Sequence, residues 1–166
     1  MRRVLVSVTM LSLLVVGMAL RVGGAGAQQA TPAAVSLPVW VEAWITALET
    51  EDPHGFADLY LNDGTYEDVA AGMSVHDRFS IVEVAAMYMA SQDDFTITPI
   101  AFHQANDWAV LEYSFSGTDP LDKPFQDIRA ATVFELSPDG RIKRSTDYYD
   151  SLDVDTQLGV VATPVP

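Results

Sequence analysis

Cysteine is absent from the 166 residues. That excludes disulfides, thiolate metal ligands, cysteine nucleophiles and a lipid-modified N-terminal cysteine. Basic residues are scarce: 9 Lys and Arg stand against 23 Asp and Glu, a formal net charge of -14. Nucleic acid and anionic lipid would both be repelled by such a chain. Histidine is limited to His54, His76 and His103, with no His-x-His or His-x3-His pair, and the acids have no calcium-loop spacing. No metal site and no cofactor are therefore expected. Gly-rich phosphate loops and Gly-x-Ser-x-Gly are missing too, which leaves phosphate cradling and serine hydrolysis without support. What is present is apolar: 49% hydrophobic and 10% aromatic residues suffice for a packed core in a chain of one-domain length.

A long, uncharged and mostly apolar run lies at the N-terminus. Arg2 and Arg3 precede Val4 to Leu20, and Ala25-x-Ala27 follows as a small-residue cleavage site. The pattern is that of a signal peptide over 1–27, and the run is short for a bilayer span of about 20 residues. An uncleaved anchor is the alternative. Cleavage near Ala27 would make the protein secreted or extracytoplasmic, without stable membrane association. Loss of Arg2, Arg3 and Arg21 would leave 6 basic residues against 23 acids. Such a charge favours solubility and attracts cations. Residues 28–36 read as a low-complexity spacer, 37–159 as the domain and 160–166 as a disordered tail.

Periodicity places three helices before a run of strands. Val41, Trp44, Ile45 and Leu48, after Pro38, share one helical face. Asp52-Pro53 ends that helix and opens a short second one with Phe56, Leu59 and Tyr60, which Asn62-Asp63-Gly64 is expected to stop. Thr65 to Val69 is a brief strand. Asp77 is a candidate N-cap for a third helix reaching Ser91, with Ile81, Val84, Ala85 and Tyr88 inward. Met87 and Met89, beside Tyr88, are candidates for a soft pocket wall or for core filler. Longer strands follow over Phe95–Gln104, Trp108–Gly117, Phe125–Leu136 and Arg141–Asp150, separated by Ala105-Asn106-Asp107, a Pro120 loop and Ser137-Pro138-Asp139-Gly140. Helices followed by antiparallel strands make an α+β fold, with an apolar pocket between the layers.

Four stretches carry a resemblance across roughly residues 38–159. They are Phe56-Ala57-Asp58-Leu59-Tyr60 leading to Asp63-Gly64-Thr65-Tyr66-Glu67-Asp68; Ser116-Gly117-Thr118; Asp139-Gly140-Arg141-Ile142 with Thr146-Asp147-Tyr148-Tyr149-Asp150; and Gln157-Leu158-Gly159. In this order they resemble the SnoaL-like (polyketide cyclase-like) branch of the nuclear transport factor 2-like superfamily. The resemblance implies a cone-shaped roll: a curved antiparallel sheet wrapped by three N-terminal helices around an apolar pocket. That superfamily hosts isomerases, cyclases, epoxide hydrolases and many non-enzymes, so function has to come from the site.

Asp147 is the first candidate catalytic residue. Alternation in the last strand puts Ser145, Asp147 and Tyr149 on one face. The resemblance aligns Asp147 with the acid/base of SnoaL-type cyclases and limonene epoxide hydrolase. Inside an apolar cone its carboxyl would have a raised pKa and could move protons near neutral pH. The alternative is a solvent-facing Asp147 paired with Arg129 or Arg144. Asp68 is the second candidate, since Thr65-x-Glu67-Asp68 resembles the segment that carries the general base of ketosteroid isomerase. The oxyanion partners implied by that enzyme are missing, because Trp44 stands where it has a Tyr and Arg129-Ala130-Ala131-Thr132 contains no acid. His103, sharing the parity of Ile97, Pro99 and Ala101, is the third candidate, as a helper to a carboxylate or as a surface residue.

Trp44, Tyr66, Tyr113, Phe115 and Tyr149 are the candidate ligand-binding side chains. Tyr113 and Phe115 fall where limonene epoxide hydrolase has an Arg and an Asp that orient water, which removes most of the case for epoxide hydrolysis and leaves an aromatic wall. The expected function is binding of a small hydrophobic molecule, neutral or cationic, with acid/base catalysis by Asp147 as an added possibility. A cofactor-free cyclase or isomerase is one alternative. A structural or dimerisation domain, with those rings filling the cavity, is the other. Ser114, Ser116, Ala131 and Val133 mark the outer sheet face through which a homodimer would form.

Overall fold

The computed structural model describes residues 35–160. The expected signal peptide, most of the spacer and nearly all of the tail lie outside the described residues. Helix α1 (Val39–Glu49) begins after Pro38, which sits at the N-cap, not in the first turn, and buries Val41, Trp44, Ile45 and Ala47. Leu48 is only half-buried. Helix α2 (Pro53–Asp58) has proline at its first position and Asp52 as N-cap, whose carboxyl accepts from Gly55 N–H at 2.8 Å. Strand β1 (Tyr60–Asp68) and strand β2 (Met73–His76) precede helix α3 (Arg78–Met89). Asp77 caps α3 as expected, accepting from Ser80 N–H at 2.9 Å. Strands β3 (Asp93–Ala105), β4 (Trp108–Thr118), β5 (Pro124–Leu136) and β6 (Ile142–Tyr149) and helix α4 (Ser151–Gln157) complete the order.

The six strands form one curved, unclosed sheet in the order β2-β1-β6-β5-β4-β3. Bulges at Tyr60/Thr65, Pro99/Ala101 and Phe115/Gly117 bend it. Gly117 is required at the last of these: a Cβ there would lie 2.8 Å from Phe125 Cζ. Helices α1–α3 pack on the concave face around Trp44, Phe56, Ile81 and Phe134. The fold is thus the α+β cone, matching the architecture expected.

Three details differ from the sequence-based reading. The second helix ends at Asp58, and Tyr60 opens β1, because Ile142 N–H donates to Leu59 O at 2.9 Å and Tyr60 pairs with Ile142. Asn62-Asp63-Gly64 is therefore an excursion within β1, and long-range pairing overrides the local turn signal. The sheet is also not wholly antiparallel: β1 runs parallel to β6. Finally, β2 and α4 were not anticipated. The N-cap of α4, Asp150, accepts from Asp153 N–H at 3.1 Å, a capping signal the sequence did contain.

Candidate functional site

The parallel contact between β1 and β6 creates the site. Tyr66 pairs with Ser145 and Asp68 with Asp147, so two acids from distant parts of the chain stand side by side. Both line a cavity of about 270 Å³ between the helices and the concave face. Trp44, Phe56, Tyr113, Phe115, Phe125 and Tyr149 form much of its wall, and Val154 and Leu158 reach it from α4 and the residue after it. The rings expected to bind ligand line an open cavity; they do not fill it.

Asp147 is 9% exposed and held by two hydroxyl donors. Tyr66 donates to Oδ2 at 2.8 Å and Thr132 to Oδ1 at 2.7 Å. Tyr113 lies 3.2 Å from Thr132 Oγ1. Thr132 has one proton and gives it to Asp147, so Tyr113 must donate to Thr132. Burial pushes the Asp147 carboxyl up to about 6; the Thr132 and Tyr66 hydrogen bonds oppose the rise, and the Asp68 charge adds to it. Neither arginine considered as a partner reaches it. Arg129 pairs with Glu112, and Arg144 lies 3.8 Å from Glu67 and 3.7 Å from Glu135.

Asp68 is 3% exposed. Its Oδ1 accepts from Ala71 N–H at 2.8 Å, and its Oδ2 from Tyr88 at 2.9 Å and Tyr149 at 3.4 Å. Burial raises the pKa of Tyr66, Tyr88, Tyr113 and Tyr149, the last to about 12, so these phenols stay protonated donors at neutral pH. Trp44 packs edge-on against Tyr113 and Phe134, and its enclosed indole N–H has no hydrogen-bond partner. The site thus offers acceptors, negative charge and ring surfaces. No Lys, Arg or His lines it, and no group of acids or histidines able to hold a metal occurs among the described residues.

One catalytic candidate needs correction. His103 is exposed and does not line the cavity. The bulge between Pro99 and Ala101 reverses the parity of β3: Ile97 and Pro99 pair with inward Phe115 and Tyr113, but beyond it Phe102 pairs with inward Leu111, and His103 with outward Val110. Of the two readings for the methionines, core filler holds for Met89; Met87 is exposed, and neither lines the cavity. The sequence-based reading overlooked Thr132 and the Tyr88 hydroxyl. Thr132 shares the inward parity of Ala130 and Phe134, which was a usable signal; the partner of Tyr88 is set only by the fold.

A SnoaL-like domain family model matches residues 41–145. Among curated proteins, none matches. Among solved structures, the chain is similar to a protein of ketosteroid isomerase-like fold from Catenulispora acidiphila DSM 44928 in complex with trimethylamine. It shares 27% identity at a TM-score of 0.71, over 79% of this chain and 100% of that one. It is also similar to an LEH-like epoxide hydrolase of M. tuberculosis (21% identity, TM-score 0.61, 73% of this chain and 87% of that one). A third is SalBIII, an epoxide hydrolase/cyclase-like enzyme with a role in pyran ring formation in salinomycin (19% identity, TM-score 0.59, 69% and 90%). The last two likenesses establish the shared fold.

Proposed function

The chain belongs to the SnoaL-like domain family, and from that premise we propose that it binds a small, largely apolar molecule carrying a positive charge, an amine, in the cone cavity. One observation carries this reading: two buried carboxylates face a cavity walled by aromatic rings, with no basic side chain among the described residues that line it. Buried negative charge without a partner is costly, and a cation relieves it. The ring faces add cation–π attraction of about 0.5–2 kcal/mol. The Catenulispora relative, crystallised with trimethylamine, supports the class of ligand. Asp147 would exchange a proton with the bound molecule, since burial places its titration near the working range.

The second reading, a cofactor-free proton-transfer enzyme of cyclase or isomerase type, draws support from the enzymes that share the fold. It would use Asp147 as acid/base with Tyr66 and Asp68 beside it, and no cofactor. The proposal includes export after cleavage near Ala27, supported by Arg2, Arg3 and the uncharged run Val4–Leu20. It also includes pairing of two copies through the β4–β5 face that carries half-buried Ser114, Ser116, Ala131 and Val133.

The test is calorimetry at pH 8 with trimethylammonium and with uncharged tert-butanol. The cation is expected to bind at least tenfold more tightly, with most of that advantage lost in Asp147→Asn. Equal affinity for the two compounds would refute charge recognition.

A further inference from the structure

We propose that the cavity selects protonated amines that carry an N–H and one extended apolar arm over quaternary ammonium ions, with Asp147 as the specificity-determining group. This inference rests on the amine-binding reading above and gives it a substrate class. A carboxylate has about four acceptor directions. Asp68 spends three of them on Ala71 N–H, Tyr88 and Tyr149. Asp147 spends two, on Tyr66 and Thr132, one at each oxygen. Asp147 is also the more exposed of the two, at 9% against 3%. The open hydrogen-bond positions therefore lie chiefly on Asp147.

Apart from the Gln92 amide, the side-chain donors around the cavity are committed or enclosed. The hydroxyls of Tyr66, Tyr88 and Tyr149 point to carboxylates, and Tyr113 donates to Thr132. Ser91 donates to Tyr88 O at 2.7 Å. The Trp44 N–H is enclosed. A ligand carbonyl or carboxylate would meet two buried acids and find only the Gln92 amide to donate to it, whereas an N–H finds Asp147. A quaternary ammonium keeps the charge attraction but offers no hydrogen to Asp147. The charged and titratable groups facing Asp147 are Asp68, Tyr60 and Tyr66 from β1, Tyr88 from α3, Tyr113 from β4 and Tyr149 from β6, and none of them is a competing cation.

Size supplies the second half. The cavity of about 270 Å³ is roughly nine times the volume one water molecule occupies in the liquid. Trimethylammonium, with four non-hydrogen atoms, would leave most of it empty. Phe95, Phe125, Val154 and Leu158 offer apolar surface for a longer substituent.

The experiment compares N,N-dimethylbutylammonium with N,N,N-trimethylbutylammonium, which share the arm and the charge and differ in the N–H. Calorimetry on the wild-type chain at pH 8 is expected to favour the tertiary amine at least tenfold. In Asp147→Asn the ratio should fall to about one. Lengthening the arm from methyl to butyl should tighten tertiary-amine binding by about fourfold per methylene until the cavity is filled, the equivalent of about 0.8 kcal/mol per methylene. Equal wild-type affinities for the tertiary and quaternary compounds would overturn the selectivity while leaving amine binding intact. Binding of neither would overturn the amine reading itself. The wild-type ratio and arm series decide the matter even where the variant fails to fold.

Discussion

Asp147 is where burial and hydrogen bonding are most closely opposed. Desolvation raises its carboxyl to about 6, although Tyr66 and Thr132 both donate to the charged form. A folded-state value above the ordinary 3.9 means that the folded chain binds this proton more readily than the unfolded chain. The residue's contribution to stability is therefore full below about pH 4 and is lost as pH rises through about 6. Two pH units correspond to about 3 kcal/mol. Urea denaturation of wild type and Asp147→Asn at pH 4 and pH 8 is expected to shift their stability difference toward the variant at the higher pH, by an amount of that order. A pH-independent difference would mean that Asp147 is not titrating in this range. On the proposed function, the same balance is what would let Asp147 exchange a proton with the bound amine.

At the scale of elements, the last strand was the most legible part of the site. Alternation puts Ser145, Asp147 and Tyr149 on one face of β6, as the sequence implies, and the fold turns that face inward while burying Thr146 on the other side as well. Alternation failed on β3, because the bulge at Pro99/Ala101 inserts one residue and turns His103 outward. Pro99 cannot donate to the ladder and hinted at such an irregularity, but its position relative to β4 is a property of the pair. Helix α4 shows how a short element can depend on distant bonds. It buries none of its own residues; Gln157 ties it down by accepting from Gln126 N–H at 2.8 Å and donating to Gln126 O at 3.1 Å. Lys123 Nζ adds a bond to Leu158 O at 2.9 Å. Gln157→Ala is expected to speed amide hydrogen exchange across 151–158 several-fold and, because Val154 and Leu158 line the cavity, to accelerate amine release. Unchanged exchange would show that the apolar contacts alone hold α4.

For the whole molecule, the net charge of -14 accompanies a cavity lined by three acids, Asp68, Asp119 and Asp147. Long-range attraction should raise the association rate of cations. Raising ionic strength from about 0.02 M to about 0.5 M shortens the screening length from roughly 20 Å to roughly 4 Å. Stopped-flow association of a tertiary ammonium ligand is then expected to slow severalfold, with dissociation nearly unchanged, because the buried contacts are screened much less. Salt-independent association would rule out steering.

Much was determined by the chain on its own. Helical stripes, strand alternation and turn residues specified helices followed by strands, and spacing put Asp147 with Tyr149 on one face and Tyr113 with Phe115 on another; which of these faces points inward was implied by the resemblance, not by spacing. Such patterns are local and repeat every two or 3.6 residues, so they survive without knowledge of partners. The fold decided which acids meet, which hydroxyls serve them and how far Asp147 titrates. Tyr66 reaches Asp147 across 81 residues only because β1 lies parallel beside β6. Hydrogen bonds and desolvation act over a few ångströms in space, whatever the distance along the sequence.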